Sequence, residues 1–72
     1  MLQLRNGQTW VVEVQRSSAP TVSKGFYLAA TDVGATRKLL VAPVDASYPM
    51  QGGIEVMSPL AAAHLLATQD LA

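Results

Sequence analysis

Apolar residues occupy every second position at the start of the chain: Leu2, Leu4, Trp10, Val12 and Val14 are all even-numbered and flank the turn signal Asn6-Gly7. Alternation of this kind marks a strand with one buried face, and two such runs about a short turn predict a β-hairpin over 2–15. Parity then selects the turn. A two-residue loop at Asn6-Gly7 pairs Leu4 with Thr9 and sends Trp10, Val12 and Val14 to the face opposite the leucines. A three-residue loop, Arg5-Asn6-Gly7 with Gly7 left-handed as a bulge, pairs Leu4 with Gln8 and Leu2 with Trp10. All five apolar residues then share one face, so the bulged turn is expected.

Residues Arg16 to Ser23 are mostly small and polar and include Pro20, which cannot donate to a central ladder, so they read as a loop. From Lys24 to Thr31, Phe26, Leu28 and Ala30 alternate with Tyr27, Ala29 and Thr31, a period of two that predicts a strand over 24–31. Gly34 turns the chain. Leu39, Leu40 and Val41 stand in a row, the pattern of a strand over 37–42 covered on both faces. Residues 44–53 carry Pro49, Gly52 and Gly53 and read as a loop. A short strand over 54–57 follows, with Ile54 and Val56 inward and Glu55 outward. Ser58-Pro59 then changes the grammar: Ser is a preferred N-cap, and Pro suits the first helical position, where no N–H is needed. The helix over 59–67 is apolar nearly all round, and Thr68 to Ala72 read as a fraying tail. The expected fold class is a single β-rich α+β domain over 1–72. Its core is a small five-stranded curled antiparallel sheet or barrel with one C-terminal helix.

Composition changes the picture in two ways. At 72 residues the chain holds one core, and a domain this small buries only about 60% of its unfolded surface. Half the residues are hydrophobic and 14% are charged, more apolar surface than so short a chain hides within itself. Contact with another protein, or with a second copy as a homodimer, is therefore expected. The five basic and five acidic residues cancel, so the electrostatic footprint of phosphate-backbone binding is missing and nucleic acid is disfavoured. No run approaches the roughly 18 apolar residues of a membrane span, and the start of the chain lacks the pattern of a signal peptide. With no cysteine, a cytoplasmic location is expected.

Candidate chemistry is sparse. His64 is the single histidine, and a nucleophile-and-base site needs a hydroxyl or thiol beside it and a third group to orient it. Ser58 lies two helical turns back and serves as a cap. One histidine with scattered carboxylates does not make a metal site, and neither metal nor cofactor is expected. Glu13, Asp32, Asp45, Glu55 and Asp70 are spread over different elements, so no carboxylate pair is argued from spacing. Gly52-Gly53 is a turn pair outside any phosphate-cradling pattern. An enzyme is not expected. Arg5, Lys24, Tyr27, Arg37 and Lys38 offer the alternative of a small barrel that binds single-stranded nucleic acid through an aromatic and basic face.

The stretch from Lys38 to Leu66 resembles the C-terminal domain of the bacterial Gre transcript-cleavage factors. The resemblance is carried by Leu40-Val41, Asp45-Ala46, Gly53-Ile54, Val56, Ser58-Pro59-Leu60 and Leu65-Leu66, over about 40% of the chain. In that family more strands follow the helix, a place the N-terminal hairpin would take in a circular permutation. The family's acidic coiled-coil tip has no counterpart. What the resemblance implies is a domain that docks on RNA polymerase or a similar assembly without catalysis of its own. The expected function is thus a non-catalytic protein-binding module, a small phage- or plasmid-type regulator or inhibitor. Its contact surface is expected on the outer face of the terminal helix: Ala62, His64 and Leu66, with Tyr48, Met50 and Met57, since Met packs adaptably at binding surfaces.

Overall fold

The fold comes from a computed structural model that describes residues 2–69. Strand β1 (Leu2–Gln3) and strand β2 (Thr9–Val14) form the N-terminal hairpin, with Leu2 opposite Trp10 and Gln3 opposite Thr9. The turn is the bulged one. Leu4 N–H donates to Gln8 O at 2.9 Å, Gly7 N–H donates to Leu4 O at 3.0 Å, and Gly7 has φ +89°, a conformation that glycine adopts without a Cβ penalty. Asn6 adds a local bond by accepting from Gln8 N–H at 3.0 Å.

The expected strand over 24–31 is instead helix α1 (Lys24–Asp32). Phe26 and Ala30 are its buried residues, an i, i+4 pair, whereas Leu28 is 55% exposed. The alternation Phe26, Leu28, Ala30 also contains that i, i+4 spacing, and period alone does not separate the two over so few residues. Ser23 caps the helix, its Oγ accepting from Phe26 N–H at 3.1 Å. Topology supplies the rest of the reason. The chain next enters β3 (Arg37–Val41), which lies parallel to β2, and parallel neighbours need a crossover, commonly a helix.

A second correction falls in the expected loop, where Tyr48–Met50 form strand β4, paired antiparallel with β5 (Ile54–Met57). Strand β5 is parallel to β3, so the sheet order is β1-β2-β3-β5-β4. The sheet is therefore mixed and open, where an antiparallel sheet or barrel was expected, and the helices number two among the described residues. Helix α2 (Pro59–Ala67) falls where the Ser-Pro signal placed it, with Ser58 Oγ accepting from Ala61 N–H at 3.1 Å. Of the expected tail, Asp70–Ala72 lie outside the described residues. No helix among the described residues is long and apolar enough to cross a membrane.

Each helix covers one face of the sheet. On one side Leu4, Trp10, Leu39, Val41 and Met57 pack with Ala62 of α2, joined by Leu65 and Leu66. On the other, Leu40, Ile54 and Val56 pack with Phe26 of α1. Alternation explains the row of apolar residues in β3: Leu39 turns to α2 and Leu40 to α1, and both are 0% exposed. Hydrophobic burial of this kind contributes about 1.5–3 kcal/mol per large side chain. Val14 breaks the pattern. It shares the face of Trp10 and Val12, yet at the end of β2 it is 72% exposed.

Candidate protein-binding surface

Helix α2 buries Ala62 and half-buries Ala61, Leu65 and Leu66 against the sheet, which leaves Leu60, Ala63, His64 and Ala67 in solvent. These four are spaced i, i+3, i+4, i+7, one continuous stripe along the helix. It carries no Asp, Glu, Lys or Arg. Leu60, at the head of the stripe, is 69% exposed. Because β2, β3 and β5 run parallel, Val14 and the start of α2 belong to the same end of the sheet, the end where the strands finish. The two most exposed large apolar side chains among the described residues, Val14 and Leu60, therefore share that end.

The expected contact residues do not form one patch. Met57 and Ala62 are buried in the core beneath α2 and offer no surface. Leu66 is half-buried against that core, so its outer role is small. His64 is exposed, and its imidazole makes no hydrogen bond or ion pair with a described residue. Tyr48 and Met50 lie in the row of Val56 and Ile54, on the α1 face, where Met50 packs against the core and Tyr48 is 39% exposed. Beside β4 an open groove of about 270 Å³ is lined by Ser47, Tyr48, Pro49, Glu55, Val56 and Met57. Sequence reasoning passed over Leu60 and assigned Val14 to the core. The signal for Leu60 is angular: once Ala61, Ala62, Leu65 and Leu66 face inward, Leu60 must face out.

The basic residues are also dispersed. Arg37 Nε and Nη2 grip Glu55 at 2.6 and 2.8 Å, and the guanidinium sits 5.0 Å from the Trp10 ring centroid. This pairing joins the start of β3 to β5 and β2. Lys38 projects from the opposite face and donates to Gly52 O at 2.8 Å. Tyr27 Oη donates to Gln51 O at 3.0 Å, which ties α1 to the β4–β5 turn. Arg5 lies in the β1–β2 turn, and Lys24 opens α1. Arg37 and Lys38 thus point to opposite faces of the sheet. Among the described residues no three His, Asp or Glu side chains converge as a metal-ligand set.

The hydrogen bond from Arg37 holds the Glu55 carboxyl below the ordinary carboxylate range, and the same bond raises Arg37. A lowered folded pKa means that the pair stabilises the fold above the unfolded glutamate value, about 4.3, and that this contribution is lost as the pH falls below it. Both side chains are more than a third exposed, so solvent screening limits the effect to about 0.5–1 kcal/mol. Glu55→Gln is expected to lower the urea midpoint slightly at pH 7 and to leave wild type and variant nearly equal at pH 3. A difference that persists at pH 3 would assign the effect to packing instead.

No family model matches the chain, and no curated protein or solved structure matches it either.

Proposed function

We propose that this chain is a non-catalytic protein-binding module of the cytoplasm, a small regulator or inhibitor that docks through the outer stripe of α2. Support comes from one observation: Leu60, Ala63, His64 and Ala67 form an exposed helical stripe without Asp, Glu, Lys or Arg, headed by a leucine that is 69% exposed. Burying a leucine of that kind against a partner is worth about 1.5–3 kcal/mol, which makes it a suitable anchor. The small side chains of Ala63 and Ala67 allow a close approach. The resemblance of residues 38–66 to a Gre C-terminal domain nominates bacterial RNA polymerase as the first assembly to test, with nuclease complexes next.

The test compares the wild type with Leu60→Asp as bait. Because Leu60 is exposed, the variant should keep the wild-type circular dichroism and melt within a few degrees of it. Capture of purified RNA polymerase, or of the partner recovered from the native host, should fall at least tenfold. Equal capture by both baits would remove the stripe from the reading.

A further inference from the structure

Helix α1 presents a second exposed row, with a lysine at one end and an aspartate at the other. Phe26 and Ala30 are the residues that α1 buries in the core. At about 100° per residue, Leu28 stands about 160° round the helix from each of them. It is the outermost point of α1 and is 55% exposed. Lys24 and Asp32, four residues to either side of Leu28, are exposed and continue the row. Cation, leucine and anion thus follow one another over about 12 Å of helix. Lys24 and Asp32 are too far apart in the helix to be the i, i+3 or i, i+4 neighbours that pair along its surface. The Lys24 ammonium and the Asp32 carboxylate make no hydrogen bond or ion pair with a described residue.

Both charges also stand at the end of the helix that its dipole disfavours. The N-terminus of a helix favours an anion and the C-terminus a cation. In α1 the lysine is the first residue and the aspartate the last, with no acidic residue in the first turn and no basic residue in the last turn to offset them. A second helix laid antiparallel on this face would bring the missing charge to each end.

We infer that the outer face of α1 is a self-association surface, on which a second copy of this chain docks antiparallel about a two-fold axis at Leu28. The row is its own complement under that axis: Lys24 meets Asp32 of the second copy, Leu28 meets Leu28 of the second copy, and Asp32 meets Lys24 of the second copy. Rows of i, i+4 spacing line up when two helices cross at about −50°. A parallel pairing sets lysine beside lysine and aspartate beside aspartate, so charge fixes the direction. The contact is small. A nine-residue helix is about 13 Å long and covers less than the roughly 800 Å² per partner of a standard interface, so the dimer forms at millimolar rather than micromolar concentration. Because α1 and α2 cover opposite faces of the sheet, this dimer leaves both α2 stripes open. The inference therefore goes beyond the docking role of α2 and does not depend on it.

Sedimentation equilibrium of the full chain at low salt, from micromolar to millimolar concentration, is the test. The wild type should pass from monomer to dimer across that range. Lys24→Asp and Asp32→Lys should each weaken self-association at least tenfold, because each variant sets two like-charge contacts in its own dimer. Mixed in equal amounts, the two variants should associate again, since the acidic row of one then faces the basic row of the other. Both substitutions suit the α1 dipole, so neither monomer should melt below the wild type, which separates lost pairing from lost folding. Leu28→Ser should weaken the wild-type dimer with no change in charge. Leu60→Asp should leave it intact, so this inference and the α2 stripe fail separately. A monomer at millimolar concentration, a dimer indifferent to the charge variants, a mixture no more associated than its components, or a dimer that Leu60→Asp dissolves would each overturn the inference.

Discussion

Leu39→Ala is expected to remove about half of the protein's stability. Leu39 is 0% exposed at the centre of β3, between Trp10 and Val41 on its own face and beneath α2. Deleting a leucine there costs about 2–5 kcal/mol, the lost transfer energy plus the cavity left behind. A chain of this length has a total stability of about 4–10 kcal/mol. The variant should therefore lose about half of its folding free energy in urea and melt well below the wild type. Leu39→Met, which conserves volume, should cost less than about 1.5 kcal/mol. Leu28→Ala, at a site 55% exposed on α1, should stay within about 0.5 kcal/mol of wild type. Equal urea midpoints for Leu39→Ala and Leu28→Ala would show that the sheet centre is not where the energy lies.

Gly52→Ala carries the second large effect. Gly52 has φ +82°, where an L-residue is disfavoured by about 1–2 kcal/mol. An added Cβ would also stand 2.7 Å from Tyr27 Cε1, too close to tolerate without moving the ring. Moving it strains the Tyr27 Oη bond to Gln51 O, the tie between α1 and the β4–β5 turn. Together these should cost about 2–3 kcal/mol. Gly53→Ala separates the two causes, because Gly53 has φ +75° and nothing within 4 Å of an added Cβ. It should cost the backbone part alone. In a Tyr27→Ala background, Gly52→Ala should fall to the Gly53→Ala value. Equal costs for the two glycines in the wild type would mean that the ring does not pack on the turn.

Both variants act on how elements meet, which is where sequence reasoning was weakest. The hairpin was legible because parity left one turn that kept Leu2, Leu4, Trp10 and Val12 together, and the pairing of Leu2 with Trp10 follows it. Leu39 and Leu40 were legible as a strand buried on both faces. The Ser58-Pro59 start of α2 was legible because capping is chemistry within four residues of chain. Helix α1 was misread since Phe26 and Ala30 fit both periods. The short edge strand β4 was missed because its Pro49 and the glycines after it carry turn signals. The candidate surface was legible only in kind: an all-apolar helix implied an uncovered side, but Met57 and Ala62 lie inside and Leu60 outside.

What the amino-acid order determined by itself is local: turn register, strand alternation, helix caps and the surplus of apolar side chains. Each depends on residues a few positions apart, so spacing alone reveals it. Tertiary structure decided the parallel pairing of β2, β3 and β5, the assignment of one helix to each face, and the exposure of Val14 and Leu60. Those outcomes depend on which surfaces meet across long stretches of chain, as where Lys38 pairs with Ile54 and Trp10 with Arg37. Burial is a property of the neighbour as much as of the side chain. Val14 has the same alternation as Val12, and it stands in solvent because no element among the described residues covers the end of its strand.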